Sequence, residues 1–406
     1  MKIKQKIKGL IKSYGYPLYE MMLRNAYIEQ TNINLNLCDS KQKKVLICYL
    51  PIPNVDFGNT VHASYAHINQ IIHTFIEMGY CIDVCFANDV QQYNRLPKKK
   101  YDIVFGFGDA YKQACKDNTR ALKISFIMEN HPDIVAEKYQ ERLDYFHKRH
   151  PNISTKTSFS RTGYFDTEQF RISDVGILMN SRYNALNFKE FCDKGLYLIN
   201  SNSIFNKEFL FERNINTQCI ASSRNNFLWF GSVGLIHKGL DIVIDAFQQM
   251  PELTLDCYGI GKFEYALFNK IKAPNIRNCH RVNVSSSAFI SSVVMKHNFM
   301  ILDSCSEGMS TAVSTCMAHG IIPIISKECG FNAASCIIQL EDNSVNGVKE
   351  AIRNTYDMPD DTILAMREEC YNYARRNFSL ECFDIQFKKV LKEILVKHKL
   401  KYTHEI

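Results

Sequence analysis

The chain has 406 residues, 46% of them hydrophobic and 22% charged, which points to two packed domains and excludes a fibre or a mostly disordered tail. No apolar run reaches the ~18–20 uncharged residues that a membrane-spanning helix needs. Lys+Arg 49 against Asp+Glu 42 leaves a formal charge of +7, too small an excess to indicate a nucleic-acid partner.

Residues 1–43 form a basic amphipathic segment. Ile3, Ile7, Leu10 and Ile11 fall on one helical face, with Lys2, Lys4, Lys6, Lys8 and Lys12 around the others. The lysines run through the whole stretch and no small-residue cleavage site follows, so it does not read as a signal peptide. Two readings stay open for residues 2–25: a peripheral anchor on an anionic membrane surface, or a soluble helix resting on the protein body. The 15 cysteines lie mostly within apolar stretches such as VLICYL and YCIDVCF, and no Cys-x-x-Cys pair occurs. They read as reduced, buried small hydrophobes of a cytoplasmic protein.

Residues 44–50 (KVLICYL) predict a strand, followed by a Pro/Gly loop and a helix with Val61, Tyr65, Ile68, Ile72, Phe75 and Ile76 on one side. Gly79 ends that helix and 81–86 predict the next strand, completing a β-α-β unit. Further strands are predicted at 102–107, 122–128, 175–179 and 196–199. The stretch 147–171 is polar, basic and poorly periodic, and reads as a long loop.

The same order of elements restarts with FLWFG at 227–231. The helix after Lys238 places Leu240, Val243, Ile244 and Phe247 at i, i+3, i+4 and i+7, and LTLDCYG, NFMILDS and IIPIIS predict strands. Strands alternating with helices of 10–15 residues argue for parallel sheets covered on both faces. The expected architecture is α/β, with two doubly wound, Rossmann-like domains facing across a cleft. The boundaries are 44–210 for the first domain and 211–377 for the second. A final helix and tail at 378–406 carries Phe383, Phe387, Val390, Leu391, Ile394 and Leu395 on one face.

Ligands of open parallel sheets sit beyond the carboxyl ends of the strands, where helix N-termini expose unpaired N–H groups. In the second half, two segments meet that description. GSVGLIHKG contributes Gly231, Ser232, Gly234 and Lys238 ahead of a helix. SCSEGMST contributes Glu307, Gly308, Met309, Ser310 and Thr311 at the start of another. Lys238 and the backbone around 308–311 suit a diphosphate. A glutamate beside them is costly unless it accepts hydrogen bonds from a polyhydroxylated neutral group, and a sugar supplies those.

The stretch 227–326 carrying these motifs resembles the donor-binding half of GT-B glycosyltransferases, closest to glycosyltransferase family 4 (glycosyl transferases group 1). The resemblance implies a GT-B fold whose C-terminal helix packs back toward the first domain, and a nucleotide-sugar donor bound mainly by the second domain. It implies no cofactor beyond that substrate. Lys238 matches the lysine that neutralises the diphosphate, and Glu307 the first glutamate of E-x7-E, which binds donor-sugar hydroxyls. Two positions depart from the pattern: the second glutamate is Thr315, and the arginine that usually follows the strand glycine is Ser232, near which His237 adds charge.

In the first half, Gly58 and Asn59 occupy the place of the family's glycine-bearing loop. His131, at a strand end, points toward acceptor chemistry. No Asp-x-Asp occurs, which fits a metal-independent scheme with Lys238 and helix termini facing the diphosphate. The expected activity is retaining transfer of a sugar to a saccharide or lipid-linked saccharide acceptor in surface glycan synthesis (capsule, O-antigen or similar). Glu307, Lys238 and His131 are the expected catalytic residues. A sugar-nucleotide epimerase or hydrolase, or an inactive sugar-nucleotide-binding protein, stands as the alternative. The expected location is the cytoplasm, with the basic segment placing the protein on the inner face of the cell membrane.

Overall fold

The computed structural model describes residues 43–50, 63–96, 100–156 and 165–403. Gly58, Asn59 and the basic segment 2–25 lie outside the described residues.

Two six-stranded sheets, every paired strand parallel, divide the chain in sequence order. The first contains β1 (Lys44–Tyr49), β2 (Cys81–Phe86), β3 (Ile103–Gly106), β4 (Leu122–Ile127), β5 (Val175–Met179) and β6 (Leu196–Ile199), in the order β2-β1-β3-β4-β5-β6. The second contains β7 (Asn226–Phe230), β8 (Thr254–Tyr258), β9 (Ile276–Asn278), β10 (Phe299–Leu302), β11 (Ile322–Ile325) and β12 (Ile338–Gln339), in the order β12-β11-β10-β7-β8-β9. Strands covered on both faces read as unbroken apolar runs rather than alternating ones. KVLICY and IPII, both buried nearly end to end, are cases in point.

The helices that position the site are α1 (Ala63–Glu77), α2 (Pro132–Arg149), α3 (Arg182–Ala185), α4 (Leu240–Gln248), α5 (Thr311–Met317) and α6 (Leu380–Thr403). The last of these leaves the second domain and returns to the first. Phe383, Phe387, Val390, Leu391 and Ile394 enter the same core as β1, β3 and β4, with Phe387 5.8 Å from the ring of Phe105. This is the GT-B arrangement of two doubly wound domains joined again by a terminal helix. Among the described residues thirteen cysteines are free thiols, ten of them buried, and burial raises the pKa of most of those with a resolved shift. Cys81 departs from the all-thiol expectation and is disulfide-bonded.

Helix α2 is the element the sequence pattern hides. The expected loop over 147–171 is in part ordered structure. His147 to Arg149 complete α2, a short helix spans Thr167–Ile172, and 157–164 lie outside the described residues. Although α2 follows β4 of the first sheet, Phe146 is buried in the second domain's core, with Tyr139, Leu143 and Tyr145 packed against it. Its arginines make the polar half of the contact. Arg142 Nη1 lies 3.0 Å from Asp303 Oδ2, both side chains at most 4% exposed. Arg149 pairs with Asp241 and Asp245 of α4 and stacks on Tyr145, 4.5 Å from the ring centre.

Burial pushes the Asp303 carboxyl up to about 7, against the pull of Arg142. A carboxyl raised on folding contributes most stability below its ordinary value of 3.8, and loses that contribution as pH rises through about 7. Removing Arg142 takes away the charge that tolerates an ionised Asp303. Arg142→Met is therefore expected to destabilise the protein by about 3–5 kcal/mol at pH 8. The cost should be smaller at pH 6, where Asp303 is protonated in both proteins; denaturant unfolding at the two pH values measures the difference.

Candidate functional site

In the second sheet, β7 and β10 are neighbours whose connections leave in opposite directions, so the strand order reverses between them. A crevice opens beyond the carboxyl ends of strands at such a switch point. The loop after β7 runs to Gly239 and the loop after β10 to Ser310, and the two are stitched together. Cys305 N–H donates to the His237 carbonyl (2.9 Å), and the His237 ring nitrogen Nε2 lies 2.6 Å from the Ser306 carbonyl. A carbonyl only accepts, so Nε2 carries the proton. Gly239 is left-handed (φ +65), and a Cβ there would run into the Asp303 carbonyl, so a side chain is excluded twice.

This stitching brings Lys238 and Glu307 together. The Lys238 ammonium contacts Glu307 Oε1, and the residues are 3% and 5% exposed. Ser304 Oγ donates to the same oxygen at 3.0 Å. Burying both ions costs several kcal/mol each, and only close pairing with added hydrogen bonds offsets that cost. Gly308 follows against the first domain: a Cβ would collide with the Met128 carbonyl at the end of β4. Ser310 is the N-cap residue of α5, its N–H on the Cys329 carbonyl (3.2 Å), and Thr311 is the first residue of that helix.

Other predicted residues stand elsewhere. Gly234 N–H donates to the Glu264 carboxylate (3.1 and 3.2 Å), as does Leu235 N–H (2.7 Å), so these donors of the glycine loop face a buried acid. Gly231 N–H bonds the Tyr258 carbonyl (3.1 Å), and Ser232 is half-buried beside it. Met309 Sδ accepts from Ser201 N–H (3.3 Å), and Thr315 Oγ1 from Ile204 N–H (3.2 Å), so both hold the segment joining the two domains. One turn on, His319 Nε2 accepts from Asn206 N–H (3.0 Å), and burial lowers its pKa to about 4.

His131 is the N-cap of α2. Its Nδ1 accepts from Asp133 N–H (3.3 Å), its Nε2 faces Glu190 (3.3 Å), and its ring packs 5.5 Å from those of Phe170 and Phe188. The crevice is instead lined from the first domain by Glu129, Asn130 and Val135, opposite His237, Ser306, Glu307 and Gly308. Glu129 and Asn130 precede the histidine in MENHP. What the sequence offered there was a polar strand end, which does not say which polar residue faces inward. The crevice as it stands has a volume of about 10 Å³, far below the ~300–1,000 Å³ usual for small-molecule pockets.

No protein-family model matches the chain, and no curated protein sequence does. Solved structures do. A sucrose-phosphate synthase from Thermosynechococcus elongatus superposes with a TM-score of 0.58 at 11% identity, covering 88% of this chain and 100% of that one. Anabaena HepE in complex with UDP and glucose gives 0.53 at 11%, covering 86% and 99%. The chain spans 59% of a matched chain of the GtfA/B complex, with a TM-score of 0.48 and 15% identity. At these identities the first two similarities establish the GT-B fold.

Glu264 is the residue under the glycine loop that sequence reasoning missed, and burial raises its carboxyl from 4.5 to about 7. The folded state then holds a proton that the unfolded chain releases between those values, so its contribution to stability is lost as pH rises through about 7. Glu264→Gln is expected to flatten the pH dependence of stability between about 4.5 and 7. Glu264→Ala, which strips the acceptor from two buried N–H groups, should cost about 2–4 kcal/mol. Thermal and denaturant unfolding across that range read both.

Proposed function

We propose that the protein is a glycosyltransferase that moves a sugar from a nucleotide-sugar donor to a saccharide or lipid-linked saccharide. The observation that carries this reading is the buried Lys238–Glu307 pair at the switch point of the second sheet, facing the first domain across one crevice. Lys238 is the cation for the diphosphate, and Glu307 the acceptor for donor-sugar hydroxyls. During transfer the bond from the anomeric carbon to the diphosphate breaks and one to the acceptor hydroxyl forms. The hydroxyl proton passes to the departing diphosphate oxygen. Charge grows on that diphosphate, and a fixed ammonium in a water-poor crevice stabilises it without reorganising.

The family 4 resemblance supports retention of configuration, a metal-independent reaction and a place in surface glycan synthesis. The narrow crevice supports a closed resting arrangement that parts along the α2 seam to admit a donor. His131 serves this reaction as the cap that orients α2, and Thr315 as a brace of the inter-domain segment. The basic segment 2–25 suits attachment to an anionic membrane surface on the cytoplasmic side, where a lipid-linked acceptor is presented. No described helix is long and apolar enough to cross a membrane.

Incubation with labelled UDP-, GDP- and ADP-sugars, with and without saccharide acceptors, tests the activity. Lys238→Ala is expected to lower kcat by about 10²–10³-fold, the scale for losing one transition-state donor. Glu307→Gln should lower kcat/KM for the donor while the fold is retained. A donor that binds and is never turned over, with acceptor or with water, selects the binding-protein alternative; turnover without acceptor selects the epimerase or hydrolase. Deleting residues 1–25 should abolish sedimentation with anionic vesicles, and unchanged binding would refute the anchor.

A further inference from the structure

Immediately beyond β5 the sequence reads Asn180-Ser181-Arg182-Tyr183-Asn184, in the first domain. Ser181 caps α3 by accepting from Asn184 N–H (3.3 Å). Asn180 Oδ1 accepts from Ser181 N–H (2.8 Å). A backbone N–H can only donate, so the amide orientation is settled and Nδ2 faces the other way. There it donates to the Glu307 carbonyl of the second domain (3.2 Å). Asn184 Nδ2 donates to Asn180 Oδ1 (2.8 Å), to the same Glu307 carbonyl (3.4 Å) and to the Glu328 carbonyl (3.3 Å).

The residues are 2% and 0% exposed. Asn184 Oδ1 is buried with no donor among the described residues, so the side chain forgoes an acceptor bond to aim its NH₂ at these carbonyls. The grip also reaches the short 3-10 helix Lys327–Cys329 that follows β11, because Glu307 N–H itself donates to Glu328 O (2.9 Å). Both carbonyls of that contact are therefore held from the opposite domain. On the other side of the loop, Gly308 lies against the Met128 carbonyl, leaving the Glu307–Gly308 peptide little room to rotate.

We propose that Asn180 and Asn184 are positioning residues: they fix the backbone of Glu307 from across the crevice, so that its carboxylate reaches Lys238 only when the two domains are closed. The donor-binding geometry is thus completed by the acceptor domain. This rests on the glycosyltransferase reading for its catalytic consequence, and on the hydrogen bonds alone for its structural one.

The test uses the full chain with Asn180→Ala, Asn180→Asp and Asn184→Ala. Hydrogen–deuterium exchange of a peptide spanning 303–310 is read without ligand, and donor kinetics are read with the nucleotide sugar that wild type turns over. Expected is faster exchange at the amides of Glu307 and Ser310, with β8 and β9 unchanged and the melting temperature of the second domain preserved. Asn180→Asp should behave like Asn180→Ala: it keeps the shape and the acceptor for Ser181 but removes the donor, whereas a mere packing role would tolerate it. The donor kcat/KM should fall about 10- to 100-fold, the scale of a small misplacement, with acceptor KM little changed. Unaltered exchange at 303–310 in all three variants overturns the proposal whether or not a donor is found. Altered exchange with no nucleotide sugar bound by wild type supports the clamp and refutes the glycosyltransferase reading instead.

Discussion

Charge buried at a seam must find its opposite there, and that constraint organises this molecule. Lys238, Arg142 and Arg149 leave water where the two domains meet, and Glu307, Asp303, Asp241 and Asp245 receive them. Each unpaired ion would cost several kcal/mol in such surroundings. The domains consequently have a strongly preferred register. The two central pairs also share a backbone frame: Lys238 precedes Gly239, which lies against Asp303, and Asp303 begins the loop that carries Glu307. Both pairs are therefore set by the same two loops, those after β7 and β10.

The connection between the domains is held with equal care but without charge. Residues 201–206 donate backbone N–H groups to Met309, His67, Thr315 and His319 in turn. His319 stays neutral because its burial drives its pKa to about 4, and a neutral imidazole is what an acceptor of that N–H has to be. Thr315 is therefore more than a shortened version of a glutamate. Its hydroxyl has a backbone partner, and the helix that carries the loop of Glu307 is tied to the hinge.

The strands were legible because buried parallel strands announce themselves as apolar runs. Those at 175–179 and 196–199 run over the same residues as predicted. The convergence of Lys238 and Glu307 was legible for a related reason, since both loops follow a predicted parallel strand and precede a helix, which puts them beyond the carboxyl ends of the sheet. Helix α2 was not. Its sequence is rich in Glu, Lys, Arg, Gln and Asp, and the apolar face of Tyr139, Leu143 and Phe146 is interrupted by Arg142, whose partner is 161 residues away. Glu264 and the Asn180–Asn184 pair escaped for the same cause. Single polar residues gain meaning only from what lies opposite them, and local pattern carries no record of that.

The terminal helix has a consequence for the order in which this chain can become a protein. Phe383, Phe387 and Leu391 complete the core formed by β1, β3 and β4, yet they are the last part of it to leave the ribosome. At ~5–20 residues per second, the stretch between β6 and α6 takes on the order of ten to forty seconds to synthesise. Through that interval the first sheet is fully made with an aromatic face uncovered, while the second domain gains the segments of its own core, the last at Phe378, before α6 appears. Maturation should therefore run against the direction of translation, with the later-made half consolidating first and the earlier one held open, a natural client for a chaperone, until the tail arrives.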